Sequence, residues 1–399
     1  MFKDIINLAL SCIHIGTAED AVSAHKFWFS NSEVLYIKDL ESYNECLERI
    51  YSFDDVISSR FSRKTVFTYL DKELPKLKRT STEYEGTEKE FYKDFFDVKA
   101  RDLIVTAPVS GVRLDSGIRK FNLSIYSFGY LEDLELPLSM DKGMYVSVTI
   151  KNCYDKEKAI QKASDSFSNL SRLLVLISGK QDKSILIETG LPLKKNISHE
   201  KMYVNTSSYQ VHGNDGIIQS GDIKNQFLEK LPLDNDFFCN NASFKRLWSI
   251  YERKHNDLKV SDLELRILNS SLALGESALT KDTRNSIIYT CISLEILFSL
   301  NEGALFQSSI GENISNMFSF IVAKDLNARL KMKKLIKKVY GLRSAIVHGG
   351  NKELTDENLV VNIYMRAAIS ELLNNDKFTN SKRIQDLYEQ LSIAQNSYL

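Results

Sequence analysis

The chain has 399 residues, too many for one small module, and two or three domains are expected at that length. Hydrophobic residues make up 43% and charged residues 26%, an ordinary balance that excludes a disordered chain. Fifty-two basic residues meet 52 acidic ones, which excludes a generally basic nucleic-acid coat protein but not a local cationic site. The five cysteines are scattered, odd in number and form no C-x-x-C, which argues against a disulfide framework or a cysteine zinc site. No two of the six histidines lie three or four positions apart, so there is no H-E-x-x-H helix.

The first residues, MFKDIINLALSCIHIG, hold an apolar stretch of signal-sequence length. Asp4 cancels Lys3, Asn7 interrupts the run and no A-x-A site follows, so a cytoplasmic protein is expected. The longest apolar run, Leu173 to Ile177, is too short for a bilayer, and no membrane association is expected. Thr17 with Asp20 reads as an N-cap box opening a short helix through Trp28. Residues 40–50 read as a helix. Residues 103–106, 120–128, 144–150 and 184–189 carry the alternation of strands. Between them, 155–177 has helical periodicity and is closed by Gly179. The Ser/Asn/Gly-rich stretch 205–219 reads as a loop or linker. Residues 1–230 are thus expected to be a mixed α/β region, with no phosphate loop and no G-x-G-x-x-G.

None of the five prolines lies beyond Pro232, and proline is costly inside helices. The tail is therefore expected to be all-helical over 240–399. Apolar periodicity marks helices near 244–251, 263–274, 284–300, 303–322 and 325–348. Gly349 and Gly350 end the last of these, and Thr355 caps the next, which runs to about 373. A final helix covers 381–395. The fold class expected is an α+β N-terminal region followed by an all-α helical bundle. Residues 1–240 sum to −4 and 241–399 to +4. Lys331, Lys334, Lys337 and Lys338, with Lys333, cluster on the 325–348 helix and are candidate RNA contacts or a solvated face.

The sharpest feature is Tyr340 to Gly350, which carries Arg343 and His348 at the end of that cationic helix. Five positions rotate about 500°, so the two side chains lie about 140° apart and do not share a face. Two such helices meeting at a two-fold axis would give a shared Arg/His site. Histidine transfers protons near neutral pH, and arginine binds phosphate oxygens while staying charged. Together they suit attack by an RNA 2′-hydroxyl on the adjacent phosphate, with no cofactor and no metal, and DNA lacks that nucleophile. Glu295, in an otherwise apolar helix, either holds Arg343 or a nearby lysine, or forms a structural salt bridge. Tyr340 either stacks on a base or packs as a core residue.

The block Tyr340, Leu342, Arg343, Ser344, Ile346, Val347, His348, Gly349 resembles the Apea-like branch of the HEPN superfamily. Ser293 to Phe298 is similar to its second-helix L-E-x-L-[FY] signature, and Arg266 to Asn269 with Leu274 to Ser277 is similar to its first helix and following turn. The resemblance covers about residues 245–375. It implies a helical homodimer whose R-x4-6-H pairs face each other, acting as a metal-independent endoribonuclease that leaves 2′,3′-cyclic phosphates. Arg343 and His348 fall on the catalytic pair, with Ser344, Glu295 and Tyr340 in support. Ser344 stands where the wider superfamily often has Asn, Asp or His. Many such proteins serve bacterial antiphage defence, abortive infection or toxin systems. The 1–230 region would then sense a phage-derived trigger or bind an antitoxin. The alternative is a HEPN module that binds RNA or protein without cutting.

Overall fold

The computed structural model describes residues 2–30, 33–81, 83–134, 143–179, 185–189, 207–213, 216–223, 229–235, 241–300, 310–350, 353–355 and 357–396. An N-terminal region with strands and helices is followed by a helical C-terminal part. The chain divides into two compact units, 1–105 with 149–164, and 106–148 with 165–399. The division expected between 230 and 240 does not coincide with a boundary between these units.

The first unit begins with α1 (Phe2–Ser11), which buries Phe2, Ile5, Ile6, Ala9 and Leu10. Strands β1 (Ile13–Gly16), β2 (Lys26–Ser30) and β3 (Glu33–Ile37) form an antiparallel sheet in the order β1-β3-β2. The helix expected to run through Trp28 is therefore a turn and a strand. Asp20 does accept from the Thr17 N–H and hydroxyl at 2.8 and 2.9 Å, but this bond closes a turn. Period two then governs: Trp28 packs inward while Phe27 and Phe29 stay exposed.

Helices α2 (Leu40–Tyr51), α3 (Asp55–Arg60), α4 (Arg63–Thr80), α5 (Glu88–Phe91) and α6 (Lys93–Phe96) complete an aromatic-rich core with Tyr43, Phe61, Phe91, Tyr92 and Phe95 buried. Pro75 sits buried inside α4. Buried Asp155 accepts from the Ser62 N–H at 2.7 Å, the Thr65 hydroxyl at 2.9 Å and the Glu157 N–H at 3.0 Å.

A five-stranded sheet runs β6-β7-β8-β4-β9, from β4 (Arg101–Ser110), β6 (Lys120–Leu123), β7 (Tyr126–Tyr130), β8 (Met144–Cys153) and β9 (Glu188–Thr189). The single strand expected over 120–128 is a hairpin, turned at Ser124 with φ 56°. In the second unit β5 (Val112–Arg113) pairs in parallel with β12 (Leu231–Pro232). The stretch read as a linker contains an antiparallel pair, β10 (Ser207–Gly213) and β11 (Gly216–Ile223). Of the expected strand 184–189, residues 188 and 189 are β9 and Ser184 lies outside the described residues.

Helix α7 (Lys156–Ser178) enters the second unit at Asp165 and buries Phe167, Leu170 and Leu173 to Ile177. Tyr126 on β7 donates to the Ser166 carbonyl at 2.5 Å, and the hydroxyl of Tyr251 meets it at 2.6 Å. Tyr251 lies on α8 (Ala242–His255). Arg366 caps the far end of α7, donating to the carbonyls of Leu176 and Ile177 at 3.0 and 2.8 Å. These contacts are why residue 230 marks no unit boundary: strands and α7 are packed with the helices.

The remaining helices are α9 (Asp262–Leu279), α10 (Thr283–Phe298), α11 (Ile310–Val322), α12 (Leu326–Val347), α13 (Glu357–Asn374), α14 (Asp376–Thr379) and α15 (Ile384–Asn396). The part of the expected 303–322 helix before 310 lies outside the described residues. A buried polar ladder joins three of them. The Ser277 hydroxyl of α9 meets those of Ser286 and Thr290 on α10, each at 3.0 Å, and Asn362 of α13 donates to Ser277 and accepts from Thr290 at 3.0 and 2.8 Å. Asn358 donates to Ser286 at 3.0 Å. Matched buried groups of this kind fix helix register, because any slip strands polar atoms away from water.

Helix α9 starts in a capping box, Ser261 with Glu264, and Arg253 of α8 also binds Glu264 at 2.7 Å. Burial alone would raise the Glu264 carboxyl, but the Arg253 guanidinium and the Ser261 N–H outweigh it and hold the group at about 2 against an ordinary 4.5. A depressed carboxylate contributes stability above its unfolded pKa, and that contribution is lost as pH falls from 4.5 towards 2. Glu264→Gln should therefore cost stability at neutral pH and progressively less in acid. Denaturant midpoints of both proteins across this window check it, and a gap that stayed constant would contradict the assignment.

Candidate functional site

Helix α12 carries the expected site, and its sequence explains its form. Asp325 caps the start by accepting from the Ala328 N–H at 2.8 Å. Ile336, Val339 and Leu342 are buried, and Met332, Leu335 and Ile346 are half-buried along the same side. At the C-terminus His348 is the cap residue, Gly349 takes φ 70°, and the Gly350 N–H reaches back to the Ala345 carbonyl at 2.7 Å. That six-to-one bond with a left-handed glycine is a Schellman ending.

The two candidate catalytic residues face different ways. Arg343 is half-buried and its guanidinium lies 3.6 Å from the Glu295 carboxylate on α10. His348 is exposed, and its ring makes no hydrogen bond or ion pair among the described residues. At about 100° per residue, Lys337 falls within about 20° of His348 and Lys334 and Ser344 within about 40°, while Arg343 is about 140° away. Ser344 is exposed.

The supporting residues cluster around Arg343. Glu295 thus pairs with Arg343 rather than with a lysine. Tyr340 lies one turn before Arg343, half-buried, with a buried hydroxyl that makes no hydrogen bond of ordinary geometry. Burial and the Glu295 carboxylate push that phenol well up. Cys291, one turn before Glu295, is pushed to about 12 by burial and by the same carboxylate. Tyr340 is thus half-buried, with its hydroxyl packed into the bundle.

No acidic residue occurs between Asp325 and Glu353, and α12 carries seven cations. Lys331, Lys334 and Lys337 are exposed and have no carboxylate partner among the described residues. Lys338 differs: it is ion-paired with Glu357 at the start of α13, which lowers the Glu357 carboxyl. Thr355, expected to cap α13, does not: the helix starts at Glu357 and the Thr355 hydroxyl is buried without a partner. The absence of acids from 326 to 352 is a readable signal that extends the cationic stretch upstream to Arg329. The Lys338–Glu357 pair has no local signature.

Among the described residues, no group of three or more His, Cys, Asp or Glu side chains is arranged to hold a metal ion. No described helix is long and apolar enough to cross a membrane. Comparison with known family models, curated proteins and solved structures finds no match to this chain.

Gly349→Ala should cost about 1 kcal/mol, since a Cβ there meets nothing and only the left-handed backbone resists it. Gly350→Ala should be close to neutral, because its Cβ would sit at an ordinary 3.4 Å from Ala345. Chemical denaturation of the two variants checks the difference, and equal midpoints would contradict the Schellman assignment.

Proposed function

We propose that this chain is a metal-independent endoribonuclease whose site is completed by two copies of a HEPN-like bundle. The observation that carries the reading is an unpartnered imidazole at the end of an acid-free cationic helix, five residues after an arginine oriented by Glu295. In the proposed reaction His348 takes the proton from an RNA 2′-hydroxyl, or gives one to the leaving 5′-oxygen. Arg343 stabilises the charge that builds on the phosphoryl oxygens. Lys331, Lys334 and Lys337 follow the backbone of the strand, and Lys338 contributes less because Glu357 already neutralises it. Ser344, on the His348 face, supplies a hydroxyl to the same phosphate.

The need for two copies follows from the angle between the pair. One chain turns Arg343 and His348 apart, so a phosphate held by His348 meets the arginine of a second chain. A two-copy arrangement is also supported by exposed apolar side chains, Val347 next to His348 on α12, and Val360, Ile363 and Tyr364 at helical spacing on α13. The N-terminal region would gate the reaction in response to a phage-derived trigger or an antitoxin, in an antiphage or toxin-like system.

The same angle favours a second reading, in which a single chain binds RNA along α12 without cutting it. Cleavage of labelled tRNA and mRNA in EDTA separates the two. The nuclease reading expects 2′,3′-cyclic phosphate ends from the wild-type chain, and a loss of about 100-fold or more for both Arg343→Ala and His348→Ala in folded protein. Binding with no product from wild type would favour the second reading, and activity that disappeared on chelation would contradict the mechanism.

A further inference from the structure

The acid-free stretch of α12 begins well before the lysines assigned above. Arg329, Lys333 and Lys337 stand four residues apart and wind along one ridge of the helix towards His348. None of the three has a carboxylate partner among the described residues. Arg329 is held in a particular way. Its guanidinium lies over the ring of Phe320 on α11, 5.9 Å from the centroid, and its Nε is buried without a hydrogen-bond partner. A second cation shares that ring: Lys377 on α14 places its Nζ 4.2 Å from the Phe320 centroid and 5.5 Å from that of Phe378.

Two cations around one aromatic ring repel each other, and the ring quadrupole offsets only part of that cost. A neighbouring carboxylate is the usual remedy. The two acids closest in sequence do not supply one. Asp325 is spent on the Ala328 N–H, and neither it nor Asp376 forms an ion pair with Arg329 or Lys377. The unmatched charge of Arg329 and Lys377 calls for an anion with several oxygens.

We propose that Arg329 and Lys377, braced on Phe320, form a second phosphate-binding site for the same RNA that reaches His348. The proposal rests on the RNA reading of the Arg343/His348 site and adds a length requirement to it. Nineteen residues of helix separate Arg329 from His348, about 28 Å at 1.5 Å per residue. A stacked strand carries one phosphate per about 3.4 Å, so about eight nucleotides span the two sites. Short fragments engage one end only, and longer single strands engage both.

The test uses 2′-O-methyl oligoribonucleotides, which lack the nucleophile, of about 4 and about 12 nucleotides on the full-length chain. Binding is followed by fluorescence anisotropy across a salt series for wild type, Arg329→Gln/Lys377→Gln and Lys334→Gln/Lys337→Gln. Lys377→Gln alone, at an exposed side chain, gives a variant whose fold is not at risk. The expected result is that the Arg329/Lys377 variant loses about tenfold in affinity for the longer strand, with a salt slope smaller by about 0.7, one single-strand phosphate's worth. The shorter strand should bind it as it binds wild type. An unchanged affinity and slope for the longer strand, with binding still sensitive to Lys334 and Lys337, would overturn the second site and leave the RNA reading standing. Equal losses for both lengths would overturn it as a distal site. If wild type bound neither strand, both readings would fail together.

Discussion

An α-helix turns about 100° per residue, and that separates Arg343 from His348. The arginine faces Glu295 on α10, where burial and a carboxylate hold it, and the histidine emerges into solvent on the lysine face. Every functional statement about the chain depends on this division. If the site is catalytic, a second copy must supply the missing partner. If one chain acts alone, the lysine face is an RNA track with an imidazole at its end.

The bundle is built to keep that division fixed. Serine, threonine and asparagine side chains bond one another at the contact of α9, α10 and α13, and each bond adds only about 1 kcal/mol, while an orphaned member costs about 1–3 kcal/mol. The ladder therefore specifies register more than it adds stability. Arginines close exposed helix ends in the same unit: Arg266 donates to the Ile296 and Ser299 carbonyls at the end of α10, and Arg246 to Leu373 at the end of α13. Glu295 thus sits on a helix whose end and register are both set, and Arg343 inherits its direction from it.

The sequence made α12 readable because several local signals agree there: an aspartate cap, an apolar stripe, no acids and a double glycine. Where one signal stood against the fold, the reading failed. The bond between Thr17 and Asp20 exists, but a turn uses it as readily as a helix does. Serine, asparagine and glycine in 205–219 suggested a loop, yet residues 207–213 and 216–223 pair as antiparallel strands, and composition alone does not record that pairing. The Arg343 and His348 spacing was legible from sequence, since helical rotation is local. The partner of Arg343, the neutralisation of Lys338 by Glu357 and the approach of both Arg329 and Lys377 to the Phe320 ring join separate helices, and no local pattern records them.

Subunit complementation tests the shared site most directly. Arg343→Ala and His348→Ala chains, each inactive alone, would be mixed, allowed to exchange and assayed for RNA cleavage. A site built from the arginine of one copy and the histidine of the other leaves one intact site in each mixed dimer, so about a quarter of wild-type activity should return. A mixture that exchanges subunits and stays inactive would contradict the account.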